Sequence, residues 1–272
     1  MQDTDIARRG LVLLGCGKMG SAMLEGWLAR GLPAGSVWVT DPKPSDWLSD
    51  QGVHLNEDLP ENPAIALIAV KPQMMREALP SLKALSGGET LFLSIAAGTS
   101  IATYEEMLGS ETPIIRAMPN TPAAIARGIT ALVGNAQATE FHLEQAELLL
   151  SAVGETVRLE TEAQMDAVTG TSGSGPAYVF HMIECLAKAA EAQGLDAELA
   201  LKLARATVAG AGALAQETGT DPAELRRNVT SPNGTTQAGL DVLMDVENGL
   251  PPLMEATVKA AANRARELGR DG

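Results

Sequence analysis

Two rhythms of apolar and polar residues divide the chain. Up to about residue 160, short apolar runs alternate with amphipathic stretches. The runs are Leu11–Leu14, Ser36–Thr40, Ala64–Val70, Thr90–Ala97 and Pro113–Pro119, then Gly128–Gly134 and Glu155–Glu160 around a helical pattern at Glu140–Ala152. The first five are continuous rather than alternating, which marks strands covered on both faces, as in a parallel sheet. After Glu160 the strand signals stop. Pro176–Gln193, Ala197–Glu217, Pro222–Val229, Thr236–Val246 and Pro252–Leu268 all carry helical spacing. The pattern predicts a doubly wound, mostly parallel α/β domain over residues 1–160, followed by an all-helical domain over 161–272.

The first run leads into "LVLLGCGKMG", which sets Gly15, Gly17 and Gly20 in a Gly-x-Gly-x-x-Gly order between a strand and a helix. In that setting the pattern predicts a dinucleotide site. Gly15 permits the tight turn, Gly17 lets backbone approach a pyrophosphate, and Gly20 lets the helix pack close to the strand. Free N–H groups and the dipole at the helix N-terminus favour the anion. Asp41 follows the second strand, where a carboxylate suits a ribose diol and NAD. Lys43, two residues on, suits a 2′-phosphate and NADP. Both readings stand. Lys71 and Pro72, then Ala96–Gly98 and Met118–Pro122, follow further strands and so fall on the same rim.

Composition narrows the chemistry. A length of 272 residues fits about two domains. A formal net charge of −14 argues against nucleic acid, because phosphate binding needs a basic face. Cys16 and Cys185 make no CxxC pair, so neither a metal site nor a disulfide framework is expected. With no signal-peptide pattern and no bilayer-length apolar run, a soluble cytoplasmic protein without a membrane partner is expected. His54, placed before a strand, and His142 and His181, placed in helices, read as structural or solvated. That scarcity has chemical content. Reducing a ketone calls for an acid to protonate the developing alkoxide. Reducing an imine whose nitrogen arrives protonated needs only an oriented carbon and a few hydrogen-bonding groups. Two polar turns in the helical half supply such groups. One is "TGTSGSGPAY" (Thr169–Tyr178), with Pro176 in the first turn of the next helix. The other is "SPNGTT" (Ser231–Thr236), where N–H groups at a helix start can hold a carboxylate while a threonine hydroxyl faces a nitrogen.

Six segments in order, "GCGKMG" (Gly15–Gly20), "AVKPQ" (Ala69–Gln73), "SIAAG" (Ser94–Gly98), "MPNTPA" (Met118–Ala123), "AVTGTSGSGPAYVF" (Ala167–Phe180) and "NVTSPNGTTQAGL" (Asn228–Leu240), closely resemble the pyrroline-5-carboxylate reductases. The resemblance spans nearly the whole chain, and the last two segments are the specific ones. It implies a Rossmann domain followed by a helical dimerisation domain, with dimers often assembled into decamers of five dimers. It also implies hydride transfer from NADPH or NADH to the C=N bond of 1-pyrroline-5-carboxylate, giving L-proline. Carried over by position, Gly15, Gly17, Lys18, Met19 and Gly20 would line the pyrophosphate, and Asp41 and Lys43 the adenosine ribose. Asn56, Ala69, Val70, Lys71, Pro72 and Ala97 would complete the cofactor site, with Asn228 at the nicotinamide end. Glu162, Ser174, Gly175, Gly234, Thr235 and Thr236 would meet the substrate, and the Thr236 hydroxyl would take the catalytic role. In the family, a neighbouring subunit completes the helical-domain pocket.

Two departures stand out. Asn233 replaces a glycine of the family turn, and Thr171 replaces a common leucine. Asparagine tolerates left-handed backbone, so the turn is expected to survive. Asp41 runs against the family's usual NADPH preference, because a carboxylate repels a 2′-phosphate. A β-hydroxyacid-dehydrogenase-like enzyme would carry a Gly-x-x-x-Lys-x-x-x-Asn arrangement in its helical half, which Ala167–Tyr178 lacks. A non-catalytic dinucleotide-binding regulator would have no use for two intact polar turns.

Overall fold

In the computed structural model, which describes residues 1–271, the apolar runs become β1 (Leu11–Leu14), β2 (Val37–Thr40), β3 (His54–Leu55), β4 (Ile65–Ile68), β5 (Leu91–Ser94), β6 (Ile114–Met118), β7 (Gly128–Gly134) and β8 (Gly154–Arg158). They form one sheet in the order β3-β2-β1-β4-β5-β6-β7-β8. Every neighbouring pair is parallel except β6 and β7. Each position of β1, β4 and β5 is buried, as their unbroken apolar character requires. The strands are shorter than the apolar runs. Ala69, Val70, Ala96 and Ala97 lie past the strand ends, on the rim. β3 has two residues, too few to leave an apolar run. His54 lies inside it rather than before a strand, stacked on Trp38 at 4.5 Å with Nδ1 2.8 Å from the Glu57 carboxylate.

The helices of this part are α1 (Asp5–Arg9), α2 (Lys18–Ala29), α3 (Asp46–Ser49), α4 (Met75–Ala78), α5 (Ile101–Leu108), α6 (Glu140–Leu150) and α7 (Met165–Val168). They cover both faces of the sheet. On one, Met23, Leu24 and Trp27 of α2 meet Leu149 and Leu150 of α6 over Leu11 and Leu13. On the other, Met75, Tyr104 and Leu108 pack over Val12, Leu14 and Phe92. Trp27 is fully buried, and its indole N–H donates to the Leu149 carbonyl at 2.8 Å, so the ring enters the core without a stranded donor. Arg30 caps α2, and Gly31 follows it with φ 82°, a conformation glycine adopts at little cost.

By internal contacts the chain divides into residues 1–173 with 261–272, and residues 174–260. Thr169–Gly173, expected as an open turn, is π-helical and continues from α7. The small side chains there fit a widened turn against its neighbours, since a Cβ on Gly173 would lie 2.6 Å from Met118 Cε. The second unit contains α8 (Gly175–Ala192), α9 (Ala197–Thr218), α10 (Pro222–Asn228) and α11 (Thr235–Leu243), and α12 (Leu250–Asp271) begins there. α8 packs on α9. The buried residues of this unit are Ala187, Ala200, Ala204 and Gly249. The last turns of α12 belong with the first unit, where Leu268 lies against Gly98 and Arg266 pairs with Asp166 at 3.5 Å. Among the described residues, no helix is long and apolar enough to cross a membrane.

Candidate active site

The glycine-rich turn shows why each of its glycines is there. Gly15 has φ 87°, and its N–H donates to the Thr40 carbonyl at 2.8 Å, so the turn stays tied to β2. A Cβ on Gly20 would lie 2.8 Å from the Gly15 carbonyl, which would push α2 off the strand. A Cβ on Gly17 would meet nothing within 4 Å. The outer glycines serve the protein's own packing, and the middle one faces the space a pyrophosphate would fill. Gly17 is the N-cap of α2, and no side chain caps it. The first turn of α2, at Lys18, Met19 and Gly20, therefore presents amides to an anion. These residues fit a dinucleotide.

Asp41 sits on the rim beyond β2, as expected, but its carboxylate is already engaged. Oδ2 accepts the Cys16 N–H at 2.7 Å and Oδ1 accepts the Lys43 N–H at 2.8 Å. Asp41 thus braces the glycine-rich turn against β2. Asn56, left-handed at φ 54°, pairs with the Asp41 backbone: its Oδ1 accepts the Asp41 N–H and its Nδ2 donates to the Asp41 carbonyl, both at 2.9 Å. The Lys43 side chain is exposed on the same turn. Burial, with a smaller contribution from the Asp41 charge, pushes the Cys16 thiol up, so it stays protonated and unreactive. Ala69 and Val70 are half-buried past β4, and Lys71 and Pro72 are exposed after them. Pro72, Ala97, Gly98, Thr103 and Leu268 line a cleft of about 340 Å³. The expected cofactor residues of the first unit are thereby gathered at the carboxyl ends of β1, β2, β4 and β5.

Glu162 belongs to this unit as well. Its Oε1 accepts from the Arg116 guanidinium at 2.7 Å and from the Ile101 N–H at 2.9 Å. Arg116 is only 8% exposed, so the carboxylate is the counter-charge of a buried cation. The sequence reading missed this pair and the buried Ser94–Tyr104 hydroxyl pair, 2.5 Å apart. The signal was present: an arginine interrupts the apolar run of β6, and a serine ends that of β5.

The remaining expected residues lie in the second unit. Asn228 ends α10. The chain then turns, with the Gly234 N–H donating to the Ser231 carbonyl at 3.0 Å and Asn233 left-handed at φ 56°, so the turn survives the loss of the family glycine. Gly234 is the N-cap of α11 and has no side chain to cap it, which leaves the amides of Thr235 and Thr236 at an open helix start. Both threonines are exposed. Ser174 precedes α8 without a side-chain capping bond, and Gly175 and Pro176 open that helix.

Comparison with known proteins agrees with this geometry. Residues 162–268 match the family model described as pyrroline-5-carboxylate reductase dimerisation, and residues 10–98 match one described as NADP oxidoreductase coenzyme F420-dependent. The pyrroline-5-carboxylate reductase of Pseudomonas aeruginosa is 39% identical over 264 residues, 95% of this chain and 96% of that one. The enzyme of the same name from Methanosarcina acetivorans is 39% identical over 94% of this chain and 97% of its own. Among solved structures, a pyrroline-5-carboxylate reductase from Coxiella burnetii superposes with a TM-score of 0.90 at 35% identity, covering 96% of this chain and 98% of that one. The Plasmodium falciparum pyrroline carboxylate reductase, solved with NADP bound, gives 0.83 at 27% identity, covering 97% and 99%. Sheet order, glycine-rich turn, uncapped helix start and relatedness over nearly the full length converge: the chain belongs to the pyrroline-5-carboxylate reductase family.

Proposed function

We propose that this enzyme reduces 1-pyrroline-5-carboxylate to L-proline with NADPH or NADH, the last step of proline biosynthesis. The observation that carries the reading is the start of α11. A glycine N-cap leaves helix amides without a capping side chain, which suits a small carboxylate. Two threonine hydroxyls stand on the first turn above them. The backbone N–H groups of Thr235 and Thr236 hold the substrate carboxylate, since the Gly234 N–H is already taken by the Ser231 carbonyl, and the Thr236 hydroxyl hydrogen-bonds the ring nitrogen. When bound at the rim of β1, β4 and β5, the reduced nicotinamide supplies the hydride. The substrate enters as an iminium, so its nitrogen already carries the proton. As hydride adds to the imine carbon, the C=N π pair becomes the nitrogen lone pair, and no side chain gives up a proton. The role left to the protein is orientation. A division of labour near residue 160 belongs to the same reading, supported by β8 ending at Arg158 and the dimerisation model starting at 162.

The enzyme works as a homo-oligomer: a dimer through the helical unit, further assembled into a decamer. Support comes from apolar side chains standing in water on α8, where Val179, Phe180, Met182 and Leu186 are 41–59% exposed. A cytoplasmic location fits two cysteines that are both unpaired. Thr236→Ala is expected to lower kcat by roughly ten- to a thousandfold, with Thr236→Ser retaining most of the rate. An unchanged Thr236→Ala rate removes the hydroxyl from the mechanism. Absence of turnover with both NADPH and NADH removes the function.

A further inference from the structure

The loop after β5 is gripped by a buried polar cluster. β5 ends on Ser94, which is 0% exposed. The Ser94 hydroxyl lies 2.5 Å from the Tyr104 hydroxyl and accepts the Ala96 N–H at 3.2 Å. Tyr104, also 0% exposed, comes from α5. Burial pushes its phenol up from the ordinary value, so it stays neutral and able to donate. At the far end of the loop, the Ser100 hydroxyl caps α5 by accepting the Thr103 N–H at 3.2 Å. The next amide, Ile101 N–H, donates to the same Glu162 oxygen that pairs with buried Arg116. Ala96 and Thr99 are buried, while Ala97 and Gly98 between them are half-open. A two-residue bridge is thus fixed at both ends.

Its place on the sheet gives the bridge a task. The adenosine side of a dinucleotide lies towards β2, where Asp41 stands, and the pyrophosphate lies at β1 and α2. The other half of the ligand therefore runs the opposite way along the rim, over β4 and β5. The Ala97–Gly98 bridge lies there. We infer that Ser94, Tyr104, Arg116 and Glu162 form one positioning cluster that sets the Ala97–Gly98 bridge against the nicotinamide half of the cofactor. Glu162 acts through the Ile101 amide, not by touching the imine. The inference rests on the preceding reading that this rim holds a reduced nicotinamide dinucleotide.

The test separates the two. Tyr104→Phe keeps the ring and deletes only the hydroxyl. Titration of NADPH and NADH by their own fluorescence, without imine, should show binding weakened about three- to tenfold, the size of one buried hydrogen bond. In steady state the cofactor KM should rise by a similar factor, with the imine KM within about twofold of the parent. Glu162→Ala should follow the same split, and Glu162→Gln, which keeps an acceptor for the Ile101 N–H, should recover part of the loss. A purely architectural role would lower the melting temperature or kcat and leave both KM values and the fluorescence titration unmoved, which overturns the inference. A rise in imine KM alone on Glu162→Ala would return Glu162 to the substrate and overturn its part. The binding titration reads the cluster even if the parent turns over no imine, so failure of the function and failure of the cluster are distinct results.

Discussion

Within residues 1–173, the large side chains Trp27, Phe92 and Tyr104 are all 0% exposed. Within residues 174–260, the buried residues are three alanines and Gly249, while Phe180 stands 59% exposed. The contrast is one of completeness. The sheet unit has helices on both faces and gives the Trp27 indole, the Asp41 carboxylate and the Arg116 guanidinium partners of its own. The helical unit turns long apolar side chains outward along α8 and α9, where Leu199 and Leu203 are 41% and 47% exposed. A surface of that kind costs free energy in water and is covered in an oligomer. The two units therefore put their stability in different places: one in its own core, the other in a second copy of the chain.

The largest effect that tests this contrast is in the sheet core. Trp27→Ala should destabilise the first unit by about 3–5 kcal/mol, the usual cost of emptying a large aromatic site, and a urea melt would register it at any protein concentration. Next in size is the apolar face of α8. Phe180→Asp should raise the dissociation constant of the oligomer by roughly thirtyfold or more, seen by sedimentation at several concentrations, while the circular dichroism of the sheet unit is retained. A variant that stays assembled would show that this face is not the seam between copies.

The smallest effect concerns a helix cap in the first unit. His142 Nδ1 accepts the Thr139 N–H at 3.1 Å, and the Thr139 hydroxyl accepts the His142 N–H, a reciprocal cap on α6. The bond to Nδ1 needs the neutral ring, and burial is the main cause that lowers the His142 pKa from 6.5. Well above pH 6.5 both folded and unfolded rings are neutral and the cap is fully present. As the pH falls from 6.5 towards the lower folded value, the unfolded chain takes up the proton first and stability declines. The loss should be no more than about 1 kcal/mol. His142→Gln should flatten that part of the stability profile, measured by denaturant melts from pH 7 to 5. An equally steep decline in the variant would place the titrating group elsewhere.

Legibility varied within the sheet unit itself. The continuous runs of β1, β4 and β5 were readable because both their faces are buried, which leaves no polar alternation to misread. The glycine-rich turn was readable because close packing and a left-handed residue each forbid a side chain. β3 was not, since two residues carry no period, and the π-helical Thr169–Gly173 resembled a turn because small residues serve both. Asp41 was placed correctly on the rim, yet its bonds to Cys16 and Lys43 depend on tertiary geometry that no spacing encodes. The arginine inside the apolar run of β6 marks a buried charge, but its tie to Glu162 joins residues 46 apart, and no spacing names that partner.

Everything in this site serves one event, the transfer of hydride from a nicotinamide to the carbon of a cyclic iminium. It is tested most directly by giving the purified enzyme 1-pyrroline-5-carboxylate and NADPH or NADH deuterated at the hydride-donating position, then reading the product by mass spectrometry and NMR. The expected product is L-proline carrying one deuterium on the former imine carbon. Proline without the label, or no proline with either cofactor, would contradict it.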